Sequence, residues 1–323
     1  LAVIWLTITL IEVNTHILQN TFFNNEKLNN IDSLSKNKHH ISDYWVAPKE
    51  LPNNQIKYGK ELIAHTALYL GPKGSVGQIS NGMNCQNCHL DAGTKLYGNN
   101  YGSVASTYPK FRARSGTTET IEKRINDCFE RSLNGQPLDT HSNEMQAMVA
   151  YMKWLGKDVE KNTIAKGSGI MDLPYLERAA SPQQGKILYE QQCASCHKKD
   201  GRGEQHPNGK EWTYPPLWGE KSYNQGAGLY RISRLAGYIK YNMPLGVKYP
   251  ESILTDDDAW DIAAYINSMP HPQKDLSKDW SDASKKPIDH PFGIFTDGFN
   301  EQQHKYGPFK PIEEKRKKLR TNK

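Results

Sequence analysis

Apolar residues recur every three to four positions in two stretches, 144–155 and 258–269, the spacing of one face of a helix. The two stretches align, with Met148-Val149-Ala150-Tyr151-Met152 beside Ile262-Ala263-Ala264-Tyr265-Ile266. Thr255 with Asp258 three residues on is a capping-box pattern that opens the second. Met145, Met148 and Met152 follow the helical spacing and are expected in the core. A second matching pair lies upstream of these. Tyr58-Gly59-Lys60-Glu61-Leu62-Ile63 predicts a helix running to about Leu70, where Gly71-Pro72-Lys73-Gly74 stops it. Its counterpart is Gln184-Gly185-Lys186-Ile187-Leu188-Tyr189, behind the N-cap and first-turn signal Ser181-Pro182. His65, inside the first of these helices, reads as a packed histidine. The chain is thus an internal duplication, each unit opened by a Gly-Lys helix and closed by an amphipathic one.

Between and beyond the repeats the pattern changes. Leu1 to Ile11 is an apolar run, short of the ~20 residues a membrane span needs. It reads as the remnant of an export signal or an N-terminal anchor, with an uncleaved anchor and a frayed segment as open alternatives. Residues 14–43 are rich in Asn, Lys and Ser and read as a flexible tether. After Met269 the chain turns to Pro, Lys, Asp and Gly, with few regular elements expected. Its aromatics Trp280, Phe292, Phe295, Phe299, Tyr306 and Phe309 argue for packing across the domains, while Glu314 to Lys323 reads as a solvated basic tail. The expected organisation is signal or anchor and tether (1–44), first domain (45–155), linker (156–180), second domain (181–270) and extension (271–323).

Length and composition fit that division. The 323 residues suit about two domains, with only 37% of them hydrophobic and a mean hydropathy of -0.76, so apolar surface for each core is in short supply. The net charge of +6 favours anionic partners weakly, and no nucleic-acid partner is expected.

The five cysteines supply the chemistry. Four fall in Cys85-Gln86-Asn87-Cys88-His89 and Cys193-Ala194-Ser195-Cys196-His197, the pattern of covalent c-type haem attachment. Each motif sits between a Gly-Lys helix and a closing helix, which sets it apart from a zinc or disulfide pair. Two covalently bound haem c groups are therefore expected, with His89 and His197 as proximal iron ligands. The fold class is mainly α: two class I cytochrome c-like domains, each around one haem, with an irregular C-terminal extension.

Distal ligands follow by elimination, because few side chains bind haem iron well. Between Lys198 and Thr255 the only His and Met are His206 and Met243, and Met243 lies 22 residues before Tyr265. Between Leu90 and Ser142 there is no Met, and the soft candidates are Cys128 and His141. Cys128, the one cysteine outside the motifs, lies 23 residues before Tyr151, nearly the offset of Met243. It takes the distal position of haem 1 in preference to the usual fate of a free cysteine as a small buried hydrophobe. Thiolate ligation makes haem 1 low-potential and thioether ligation makes haem 2 high-potential. Lys110, Arg112, Arg114, Lys123, Arg124 and Arg131 surround Cys128 in sequence, interleaved with Glu119, Glu122, Asp127 and Glu130. Guanidinium groups suit sulfur oxyanions and phosphates alike. Arg124 and Ser132 fall one helical turn to either side of Cys128, on the same face.

With these residues placed, the chain resembles the dihaem thiosulfate dehydrogenases, a family that includes tetrathionate reductases. The resemblance rests on Arg114, Arg124, the run Cys128-Phe129-Glu130-Arg131-Ser132-Leu133-Asn134-Gly135, both haem motifs and Asn242-Met243-Pro244. It extends through His290-Pro291-Phe292-Gly293 and Gln303-His304-Lys305-Tyr306-Gly307-Pro308-Phe309. It implies a His/Cys-ligated active haem, a His/Met-ligated electron-transfer haem, and Arg114 and Arg124 holding thiosulfate. In some members a lysine directly precedes the methionine; here Asn242 stands there, with Lys240 two residues earlier. The expected activity interconverts two thiosulfates and one tetrathionate with a two-electron exchange, in the periplasm, with a small cytochrome c as redox partner. A non-catalytic dihaem electron carrier and a dihaem peroxidase are the rival readings.

Overall fold

Each half of the molecule is built where two helices cross at a glycine. In the computed structural model, which describes residues 43–321, α1 (Asn54–Ala64) is capped by the Asn53 side chain and α4 (Asn143–Leu155) by that of Ser142. A Cβ placed on Gly59 would fall 2.8 Å from Tyr151 Cβ, against the Ala147 backbone of α4. In the second half α5 (Pro182–Gln192) is capped by Ser181, and α7 (Asp256–Ser268) opens with the Thr255/Asp258 capping box. A Cβ on Gly185 would fall 2.9 Å from Tyr265 Cβ, against the Asp261 backbone. The duplicated Gly and Tyr therefore mark one crossing used twice: glycine lets the backbones approach and the tyrosine below it fills the angle.

The first opening helix differs from its expected extent. It begins at Asn54 and breaks at His65, whose φ of -128° and ψ of 40° are not helical, before resuming as α2 (Thr66–Leu70). Thr66 Oγ1 donates to Leu62 O and Asn84 Oδ1 accepts from Ala67 N, which fix the bend. His65 is not packed among apolar side chains. It is half-exposed and its Nδ1 lies 2.9 Å from Glu211 Oε1, in the second half of the chain.

After the first haem motif the chain forms a hairpin of β1 (Lys110–Arg112) and β2 (Thr117–Glu119), then α3 (Ile121–Arg131), capped by Thr120. Ile121, Ile125 and Phe129 bury one side of α3 in the first core with Met145, Met148 and Met152. That core also takes Tyr223, Ala227 and Tyr230 from the second half. The stretch 166–169 is laid along the first unit: Tyr97 N donates to Gly167 O and Asn99 N to Gly169 O. The second half adds the short pair β3 (Glu204–Gln205) and β4 (Trp212–Tyr214), and α6 (Ile232–Asn242), which ends at Met243.

The extension is more ordered than its composition implies. It carries α8 (Glu301–Tyr306) and α9 (Lys310–Thr321), and Tyr306, Phe309 and Ile312 enter the second core. Phe292 packs against the first core and stacks on Tyr230. Within the expected tail the described residues 314–321 are helical and exposed except Arg316, whose Nε donates to the buried Asp297 at 2.6 Å. Of the expected anchor and tether (1–44), residues 1–42 lie outside the described residues.

Candidate active site

The first haem motif opens onto a cavity of about 160 Å³ lined by Cys85, Cys88 and His89 from one side and by Arg124, Cys128 and Ser132 from the other. The last three arrive together because α3 presents positions four apart on one face, and Ser132 is its C-cap. Six of the seven residues singled out for this site thus share one enclosure. Arg114 is the exception, since it follows β1 and does not line the cavity. The Arg114 Nη1 group donates to Gly226 O at 3.2 Å, and its guanidinium lies 5.6 Å from the Trp280 ring.

The donor set fits a covalently attached haem. His89 Nδ1 lies 2.5 Å from Asn99 O, which fixes the ring and leaves Nε2 for iron. Burial lowers the His89 pKa to about 4, so the imidazole is neutral, as an iron ligand must be. Tyr101 stacks on His89 with ring centroids 4.5 Å apart, and no local pattern in the sequence marks that tyrosine. Burial pushes the Cys85 and Cys88 thiols up to about 12, so both are held protonated in an apolar wall.

Electrostatics set the two arginines apart. The Arg124 pKa is raised, chiefly by its electrostatic interaction with Cys128 and against the effect of burial. That of Arg114 is lowered to about 10, first by burial and then by the charges of Arg131 and Arg124. Arg131 is bidentate on Asp279, both bonds 2.8 Å, so its charge is already matched.

The second motif repeats the first. His197 Nδ1 lies 2.8 Å from Pro215 O, and burial lowers its pKa. Cys193 and Met243 both pack on the second core. His206 and His141, the other soft candidates, are exposed. Lys240 is held by Leu254 O at 2.6 Å and Asp256 at 3.0 Å. Asn242 is buried and its Nδ2 donates to Tyr97 O and Tyr238 O. Tyr238 in turn donates to Asn87 O inside the first haem motif, so the helix leading to Met243 is pinned to the attachment loop of the other haem.

Comparison with known proteins places both halves among cytochromes. Residues 76–160 match the SoxA/TsdA cytochrome c domain and residues 182–270 the cytochrome c domain. The thiosulfate dehydrogenase of Psychrobacter arcticus is 37% identical over 243 residues, covering 74% of this chain and 71% of the relative. That of Allochromatium vinosum is 39% identical over 198 residues, covering 60% and 72%. The solved thiosulfate dehydrogenase (TsdBA) of Marichromatium purpuratum superposes with a TM-score of 0.66 at 30% identity. The match covers 74% of this chain and spans about half, 52%, of that one. This chain, with two covalently bound haem c groups, belongs to the thiosulfate dehydrogenase family of dihaem cytochromes.

Proposed function

We propose that this protein is an oxidoreductase that interconverts two thiosulfates and one tetrathionate, with Cys128, Arg124 and Ser132 working at haem 1 and Arg114 nearby. The observation that carries the reading is the shared cavity of Cys85, Cys88, His89, Arg124, Cys128 and Ser132. An electron carrier needs no arginine and no reactive thiol at its iron, whereas a sulfur-anion enzyme needs both.

Arg124 lines the same cavity as Cys128 and offers a guanidinium to the sulfonate oxygens of a bound dianion. Two thiosulfates repel each other, and fixed cations lower that cost in a site shielded from water. Ser132, one turn from Cys128, is placed to donate a further hydrogen bond. In the oxidising direction the outer sulfur of one thiosulfate bonds to Cys128 Sγ with loss of two electrons. The outer sulfur of a second thiosulfate then attacks the substrate sulfur attached to Sγ, forming the central S–S bond of tetrathionate and freeing the thiolate. The reverse reaction has the thiolate attack tetrathionate and expel one thiosulfate.

Bound haem supplies one-electron acceptors, with His89 and Cys128 as the proposed ligands of one iron and His197 and Met243 of the other. We infer periplasmic residence and a small cytochrome c as partner, in keeping with extracytoplasmic haem attachment. Among the described residues no helix is long and apolar enough to cross a membrane. The test is to assay both half-reactions on purified holoprotein, thiosulfate with ferricyanide and tetrathionate with reduced methyl viologen. Turnover in at least one direction is expected; none in either would leave only electron carriage.

A further inference from the structure

Three buried nitrogens beside the active site have no hydrogen-bond partner among the described residues: Arg114 Nε, Trp280 Nε1 and His290 Nδ1. They belong to one cluster. The Arg114 guanidinium lies 5.6 Å from the Trp280 ring, and Trp280 and His290 meet edge to face with centroids 5.7 Å apart. Trp280 N donates to Arg114 O at 2.7 Å, which ties the extension to the hairpin after β1. His290 is 5% exposed.

Buried polar groups normally find partners, and an unmatched charge is the costliest exception. Arg131 takes both oxygens of Asp279, so Asp279 acts on Arg114 only at longer range, and Gly226 O takes only one of the Arg114 N–H groups. A desolvated cation beside an indole N–H and an imidazole nitrogen is the donor set of an oxyanion site. Both Trp280 and His290 come from the extension, which otherwise has no part in the chemistry.

We propose that Arg114, Trp280 and His290 form a second oxyanion site that holds the sulfonate of the second thiosulfate, or the far sulfonate of tetrathionate, while Arg124 serves the sulfonate nearest Cys128. This rests on the reading above that two thiosulfates are joined. It gives the extension a role in positioning substrate and explains how Arg114 contributes from outside the haem cavity. The same chemistry is also offered by a haem propionate, so the experiment separates the two sources.

Trp280→Phe keeps an aromatic ring beside Arg114 while removing the N–H together with the five-membered ring that carries it; His290→Phe provides a second variant. On holoprotein with full haem content, tetrathionate KM, sulfate binding by calorimetry and the haem 1 midpoint potential are measured. Loss of one hydrogen bond to a charged group predicts roughly tenfold weaker tetrathionate KM and sulfate affinity, with kcat and the potential little changed. A shifted haem 1 potential with unchanged KM and sulfate affinity would assign the site to a propionate and overturn the substrate role. No change in any quantity would overturn the site itself. Sulfate binding needs no turnover, so a wild-type protein inactive toward both sulfur anions would refute the proposed reaction while this site remained testable.

Discussion

Replacing Gly59 by Ala sets two effects of opposite sign against each other. Inside a helix Ala is favoured over Gly by about 1 kcal/mol. Against that, the new Cβ would lie 2.8 Å from Tyr151 Cβ and closer still to the Ala147 backbone. Ordinary contact begins at 3.4 Å and the nearest obstacle, Ala147 O, would lie at 2.0 Å, so α1 and α4 must part by about 1.4 Å in a core packed like a solid. Overpacking of this kind costs about 1–3 kcal/mol, and more where the obstacle is backbone, as here. Tyr151 also holds its place by donating to Ala92 O at 3.0 Å, just beyond the first haem motif. The net expectation is a loss of about 2 kcal/mol, or a fall in Tm of about 4–8 °C. Thermal unfolding followed in the Soret circular dichroism band reads this directly. Gly228→Ala, where an added Cβ meets no atom within 4 Å, is the control and should shift Tm little. Equal behaviour of the two variants would refute the crossing argument.

Three further outcomes follow from the same reasoning. Asp297→Ala strands the buried Arg316 and removes the partner of His304, so chemical denaturation should show a loss of about 3–5 kcal/mol, whereas Glu313→Ala, opposite exposed Lys317, should cost well under about 1 kcal/mol. The pKa of His290 is lowered to about 4, chiefly by burial, from about 6.5 in an unfolded chain; its contribution to stability is therefore present above about pH 6.5 and is lost as pH falls toward 4. Across that window His290→Phe should lose stability less steeply than the parent in parallel denaturation series. Met243→Ala should lower the haem 2 midpoint potential in a redox titration while leaving haem content and the haem 1 potential unchanged.

What the sequence revealed depended on how local each signal was. The Gly-Lys and Tyr positions of the duplication are read from spacing alone, because a helix crossing needs a small residue on one side and imposes the same need in both copies. Arg124, Cys128 and Ser132 share a cavity because four-residue spacing on α3 leaves them no other arrangement. Arg114 lies in the same charge run, yet a hairpin separates it from α3, and its neighbours come from Gly226 and Trp280, more than a hundred residues away. No periodicity carries that information. The break at His65 was equally hidden, since it depends on Glu211 and on the backbone bonds of Thr66 and Asn84. In the extension, α9 is held by Ile312 and by the ion pair of Arg316 with Asp297, a partner 19 residues away that composition does not reveal.

The central claim is that Cys128 is the reacting thiolate at haem 1. Its most direct test is the turnover of Cys128→Gly with thiosulfate and ferricyanide, on protein whose haem content shows both groups attached. The account predicts turnover at the level of the assay without enzyme. Turnover near that of the parent, with both haems present, would contradict it.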